Sequence, residues 1–270
     1  MEVPLIFTDP HNSWPNNVIP LGLCLILSCI AYLIQGCAGF ESKGMLSFER
    51  SLNIKSYGYK RVPAPHPVRV GKTSERFEVR NGDCYWDSGW NDCKTDRERS
   101  ELYEVSPRAM IGYEYWYGWS VFVPKDFRNI YPTITTLGQF FQKNTRDPPV
   151  MFNYRGNGLW LYMNLYSWIC LLLPEPEIRD RWNDFVVNVK WSTGNDGFLK
   201  VWVNGELKVD HLGPQTRFNY PIFFKYGIYR TFVSKYKKAY EVRTVPTQIV
   251  YFDEVRGGGS RESVDPSLRK

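Results

Sequence analysis

From Val68 onward, short runs in which apolar residues alternate with polar ones, or stand together for a few positions, recur with turn-forming residues between them: ERFEVR, RSELYEV, YEYWYGWSVFVP, TITTLGQFF, MFNYR, GLWLYMN, FVVNVKW, FLKVWV, ELKVD, IFFKYGIYR and QIVYFDEV. Such runs are too short for helices and carry a period of two, so each predicts a β-strand. Asn204-Gly205, between FLKVWV and ELKVD, predicts a two-residue hairpin, because both central positions of that turn take positive φ. The segment RDRWND at 179–184 predicts a short helical turn before FVVNVKW. Many short, evenly spaced strands predict an all-β jelly-roll sandwich of two antiparallel sheets, folded as a single domain over residues 68–256. Residues 41–67 are polar and contain PAPHP, which predicts a spacer, and GGGSRESVDPSLRK at 257–270 predicts a flexible tail.

No charged residue occurs from Val18 to Phe40, so residues 1–40 predict a leader or membrane anchor and an exported domain behind it: periplasmic, anchored in the outer membrane as a lipoprotein, or secreted. The run ends in Leu33-Ile34-Gln35-Gly36-Cys37, similar to a lipoprotein cleavage box, which makes Cys37 a lipidation candidate beside a cleaved signal and a retained anchor. Glu2 and Asp9 precede the run while Lys43 and Arg50 follow it, the reverse of the usual signal. Three of the six cysteines remain beyond it. Cys84 and Cys93 bracket a turn-rich loop and predict a disulfide, in keeping with an oxidising compartment, whereas Cys170 in WICLLL predicts a buried free thiol.

Aromatic residues form 16% of the chain, with 10 Trp and 18 Tyr, which strengthens the strand reading and supplies rings that either fill the core or stack on sugars. The net charge of +6 is scattered, so a nucleic-acid partner is not expected, while an acidic polymer is allowed. Phosphate-binding loops, a nucleophile elbow and zinc-ligand spacing are absent from the sequence, as is the Glu-x-Asp-x-x-Glu pattern of sandwich-fold glycoside hydrolases. Only three histidines occur in the chain.

Alternation sets several polar groups on one face of three strands. These are Arg97, Arg99, Glu101 and Tyr103 in one, Gln139 and Phe141 in the next, and Lys225, Gly227 and Tyr229 in the third. Arg99-Ser100-Glu101-Leu102, then Gln139, then Phe223-Phe224-Lys225-Tyr226-Gly227-Ile228-Tyr229 resemble the three strand motifs of the jelly-roll polysaccharide lyases, a group with alginate, glucuronan and heparin lyases. FEVRNGDC and VWVNGELKVDHLGP resemble its heparin-lyase-like branch, over roughly residues 68–256.

The resemblance implies a concanavalin-like jelly roll, cleavage of an acidic, uronate-containing polysaccharide by β-elimination, and no cofactor. A monomer is expected, touching membrane only through its leader. By motif position Arg99 and Gln139 match the groups that bind or polarise the carboxylate, Tyr229 the catalytic tyrosine, and Lys225 the lysine four residues before it. Arg97, Glu101 and Phe141 are expected to touch substrate. Many relatives carry Gln-x-His where this chain has Gln139-Phe140-Phe141, and a phenyl ring exchanges no proton. Three readings follow: Tyr229 makes both proton transfers, aided by the positive charges of Lys225 and Arg99; His66 or His211 reaches the groove; or the domain binds glycan without cleaving it.

Overall fold

The period-two runs form strands throughout a computed structural model that describes residues 46–106, 108–145 and 148–269. The leader and Cys37 lie outside the described residues. The strands are β1 (Ser47–Ser51), β2 (Tyr59–Pro63), β3 (Thr73–Val79), β4 (Arg97–Ser106), β5 (Glu114–Phe122), β6 (Ile134–Gln142) and β7 (Val150–Arg155). They continue as β8 (Gly158–Met163), β9 (Trp168–Pro174), β10 (Trp182–Lys190), β11 (Phe198–Val203), β12 (Glu206–Leu212), β13 (Ile222–Thr231) and β14 (Gln248–Gly258). Two antiparallel seven-stranded sheets result, in the orders β1-β4-β13-β6-β7-β8-β9 and β12-β11-β10-β5-β14-β3-β2. This is the expected jelly-roll sandwich, and Asn204 and Gly205 turn β11 into β12 with φ of 51° and 84°.

The inward residues of both sheets share one core. Trp119 stacks on Phe185 of its own sheet at 5.3 Å and meets Phe224 at 4.8 Å and Phe152 at 5.0 Å across the interface. Rings of this size each bury about 150–250 Å², so the sheets are locked in register and the outward face of β4, β13 and β6 is held as a rigid floor. Gly227 is needed at its position. Between the pairs Tyr226–Gly138 and Tyr229–Thr136, β13 has one residue more than β6, and Gly227 takes a φ of 127° there. A Cβ on it would lie 2.4 Å from the Ser100 carbonyl oxygen and 2.8 Å from the Phe77 ring.

Several boundaries differ from the sequence reading. The expected spacer supplies β1 and β2, each a sheet edge strand, because five residues suffice to extend an existing ladder. WICLLL forms β9, and Cys170 on it is half-buried, with its Sγ 3.8 Å from the Lys208 carbonyl oxygen, because the strand lies at the edge of its sheet. The helical turn expected at 179–184 comes earlier, as α1 (Glu175–Ile178), and β10 begins at Trp182. The expected flexible tail is ordered. A helix α2 (Val233–Ala239) precedes β14, and beyond that strand α3 (Arg261–Val264) buries Val264 completely against β5, where Gly118 has no side chain to obstruct it.

Candidate functional site

Strand pairing assembles the predicted residues on one outward face. Tyr229 pairs with Arg99 and Thr136, and Lys225 pairs with Tyr103 and Gln139. The three predicted strands are neighbours in the order β4-β13-β6, although they are distant in sequence.

Glu101 organises this face. Its Oε1 accepts a 2.6 Å hydrogen bond from Gln139 Nε2, and its Oε2 lies 3.0 Å from Lys225 Nζ and 3.3 Å from Arg99. Expected to touch substrate, Glu101 instead spends both oxygens on its neighbours, since it is 1% exposed and a buried carboxylate must be paired. Gln139 Oε1 is buried and has no hydrogen-bond partner among the described residues. Arg99 makes a two-point contact with Asp92, from Nε to Oδ2 at 2.7 Å and from its terminal nitrogen to Oδ1 at 2.5 Å. Its guanidinium also lies over the Tyr229 ring, 4.4 Å from the centroid.

Tyr229 is half-buried, and its hydroxyl has no hydrogen-bond partner among the described residues. Burial raises its pKa above the ordinary tyrosine value of 10.0; Arg99 and Arg97 oppose the rise, and Glu101 and Asp92 add to it. The nearby arginines do favour the phenolate, as expected of Arg99, but the net direction is upward. Arg99 faces Asp92 and Lys225 faces Glu101, and loss of water decides the direction. Burial likewise lowers the Lys225 pKa, with Glu101 restraining the fall.

Arg97 lies at the end of the same face. It donates to the carbonyl oxygens of Thr95 and Asp96, with its guanidinium 4.5 Å from the Phe232 centroid. No carboxylate pairs with it among the described residues. Phe141 is half-buried between the Phe223 ring, 5.5 Å away, and Lys225 Nζ, 5.7 Å from its centroid. Phe223 in turn meets Tyr103 edge-on at 6.2 Å, so an aromatic row crosses three strands beside the polar cluster.

Neither described histidine belongs to this face. His66 lies 3.2 Å from the Tyr251 hydroxyl, on the opposite sheet. His211 lies within edge strand β12 of that sheet, its ring 5.0 Å from Tyr166. The alternative in which either histidine serves as base has no support in this arrangement.

The Cys84–Cys93 disulfide is formed, with a Cα–Cα distance of 4.9 Å. Asp92, beside it, was missed by the sequence reading. It sits in a loop where alternation does not apply, seven residues before its partner, and nothing local distinguishes it from the loop's other acids.

Together the strands set Arg99, Gln139 and Lys225 on one face with a phenol that has no hydrogen-bond partner among the described residues. Among the described residues no cluster of His, Cys, Asp or Glu has the arrangement of a metal site.

The fold is shared with known enzymes. An endo-β-1,4-glucuronan lyase from the fungus Trichoderma reesei superposes with a TM-score of 0.60 at 18% identity, covering 84% of this chain and 95% of that one. The alginate lyase from Corynebacterium sp. gives 0.50 at 15% identity, with coverages of 78% and 93%. Alginate lyase AlgAT5, of polysaccharide lyase family 7, gives 0.50 at 13%, with 78% and 92%. At these identities the likeness establishes the jelly-roll fold alone. No curated protein matches the sequence. The family profile described as polysaccharide lyase matches residues 53–256, which span all three strands of the polar face, and the chain belongs to that polysaccharide lyase family.

Proposed function

We propose that the protein cleaves a uronic-acid-containing polysaccharide by β-elimination, with Tyr229 as proton shuttle. The observation that carries this reading is the free Tyr229 hydroxyl, set on one face with Arg99, Gln139 and Lys225 by direct strand pairing. The named glucuronan and alginate lyases support a uronate substrate, and the family supports a lyase.

Elimination needs the C5 proton of the uronate made acidic, which follows when donors take up charge from its carboxylate. Arg99 and Gln139, steadied by Glu101, are the donors, with Lys225 as a further positive charge and Arg97 as a cation without a carboxylate partner among the described residues. The Tyr229 phenolate takes the C5 proton, the C4–C5 double bond forms, the C4–O4 bond breaks, and the same hydroxyl returns its proton to O4. One group serves both transfers when the C5 proton and O4 lie on the same side of the ring. Phe141 and Phe223 would stack a sugar, in place of the histidine of many relatives. The disulfide supports a site of action outside the cytoplasm, as the apolar leader suggests.

The test is a screen of alginate, glucuronan, heparin and bacterial exopolysaccharides for the 4,5-unsaturated product, which absorbs in the ultraviolet. Wild-type protein should form it on at least one uronate polymer, and Tyr229→Phe should abolish it without weakening glycan binding. Glycan affinity with no product on any of these polymers would refute the elimination and leave a binding module.

A further inference from the structure

We infer that Asp92 is the positioning residue of Arg99, and that the Cys84–Cys93 disulfide holds Asp92 in place, so that this cross-linked loop sets the geometry of the site. The inference rests on the proposed role of Arg99 and goes beyond it to the loop that aims the guanidinium.

Residues 80–96 join β3 to β4, and the disulfide closes a ring of 9 residues separation within them. The ring meets Arg99 beside both of its cysteines. Asp83, next to Cys84, accepts the backbone N–H of Arg99 at 3.0 Å, while Asp92, next to Cys93, accepts from the guanidinium at two points. Asp92 is fully buried and is itself fixed from several sides. Trp90 Nε1 donates to its Oδ1 at 2.8 Å, its N–H donates to the Tyr85 carbonyl at 2.9 Å, and its carbonyl accepts from Arg97 at 2.9 Å. A two-point contact fixes the plane of a guanidinium as well as its distance, which a single bond does not. That plane is the one lying over the Tyr229 ring. Without Asp92, Glu101 would hold Arg99 through one longer contact, and Glu101 is shared with Lys225 and Gln139.

Asp92 also acts through its charge. Arg97, Arg99, Glu101 and Asp92 all act on Tyr229, with Lys225 on its own strand, and the Asp92 charge raises the tyrosine's pKa. Asp92→Asn keeps the shape and removes the charge. Two effects should follow together: a fall in kcat from the less ordered guanidinium, and a lower pKa for Tyr229.

The experiment compares wild type, Asp92→Asn, Asp92→Glu and the Cys84→Ser/Cys93→Ser double variant, each checked for folding by circular dichroism. Steady-state kinetics on the best uronate polymer from the screen should show kcat reduced about 10- to 100-fold in Asp92→Asn. KM should stay within threefold, and the alkaline-rising limb of the pH profile should move to lower pH. Asp92→Glu should recover part of the loss, and the double variant should lose kcat at unchanged KM. A kcat within twofold of wild type in Asp92→Asn, a loss confined to KM, or an unmoved pH limb would overturn the inference.

If Asp92→Asn does not fold, Trp90→Phe replaces it, removing only the indole N–H that holds the carboxylate. A severalfold loss of kcat there supports the clamp, and an unchanged kcat overturns it. Failure of the elimination reading shows separately, as a wild type without product on any polymer. The clamp is then read from ultraviolet tyrosine titration, wild type minus Tyr229→Phe, whose midpoint should fall in the Asp92→Asn background and whose constancy would refute it.

Discussion

Glu104 should make the fold less stable as pH rises, and replacing it by glutamine should remove that weakness. The residue faces inward from β4, is 1% exposed, and accepts one hydrogen bond, from the Phe224 backbone N–H at 2.8 Å. Burial raises its pKa from 4.5 to about 8, against the opposing effects of the Phe224 hydrogen bond and the Arg108 charge. The folded form therefore holds a proton that the unfolded chain releases near pH 4.5. Stability is highest below that value, falls as pH rises toward 8, and is level above it. At ~1.4 kcal/mol per pH unit the whole difference has a ceiling of about 5 kcal/mol, and roughly 3 kcal/mol of it should be lost by neutral pH. For a domain of this size 1 kcal/mol moves Tm by about 2–4 °C. Glu104→Gln keeps the shape and the acceptor for Phe224. Thermal unfolding followed by circular dichroism should give the variant a Tm at least ~6 °C above wild type at pH 9, with the gap closing toward pH 5. A Tm difference that does not change between pH 5 and pH 9 would refute the reasoning.

Three further outcomes concern the polar face. Tyr229→Phe should abolish formation of unsaturated product with Tm within about 2 °C of wild type, because the lost hydroxyl has no partner among the described residues. Phe141→His should place a titratable group beside Lys225 and move the pH optimum of product formation toward neutrality; an unmoved optimum would show that a base at this position is not limiting. Glu101→Gln should leave Lys225 and Arg99 without their shared carboxylate and cost about 3–5 kcal/mol in urea unfolding, and a cost below ~1 kcal/mol would show that the cluster is held by packing instead.

Regular alternation made the strands legible, and alternation with motif order placed Arg99, Glu101, Gln139, Lys225 and Tyr229 on one face before any pairing was known. Edge strands were not legible. SFERS and YKRVP are too short and polar to register as apolar runs, and they pair because a neighbouring strand offers its free edge. The tail misled for a related reason: its glycines read as flexibility, yet β14 runs to Gly258, and a Cβ there would lie 2.1 Å from Ser263 Oγ as the following helix turns back on the strand. Asp92 was invisible because its importance comes from a loop fold and a partner in the adjacent strand.

The charge at Tyr229 shows most plainly why residue types alone were insufficient. Two cations beside a tyrosine read as a device for ionising it, but each is matched by a buried carboxylate, and the loss of water around the tyrosine outweighs the opposing arginines. Its ionisation moves toward alkaline pH, above the interval from 4.5 to about 8 over which Glu104 weakens the fold as pH rises. Above about pH 8 activity should therefore go on rising while the stability that Glu104 contributes at low pH is already lost. Because Glu104 faces the core and Tyr229 faces outward, Glu104→Gln should widen the alkaline working range without altering kcat for formation of the unsaturated product.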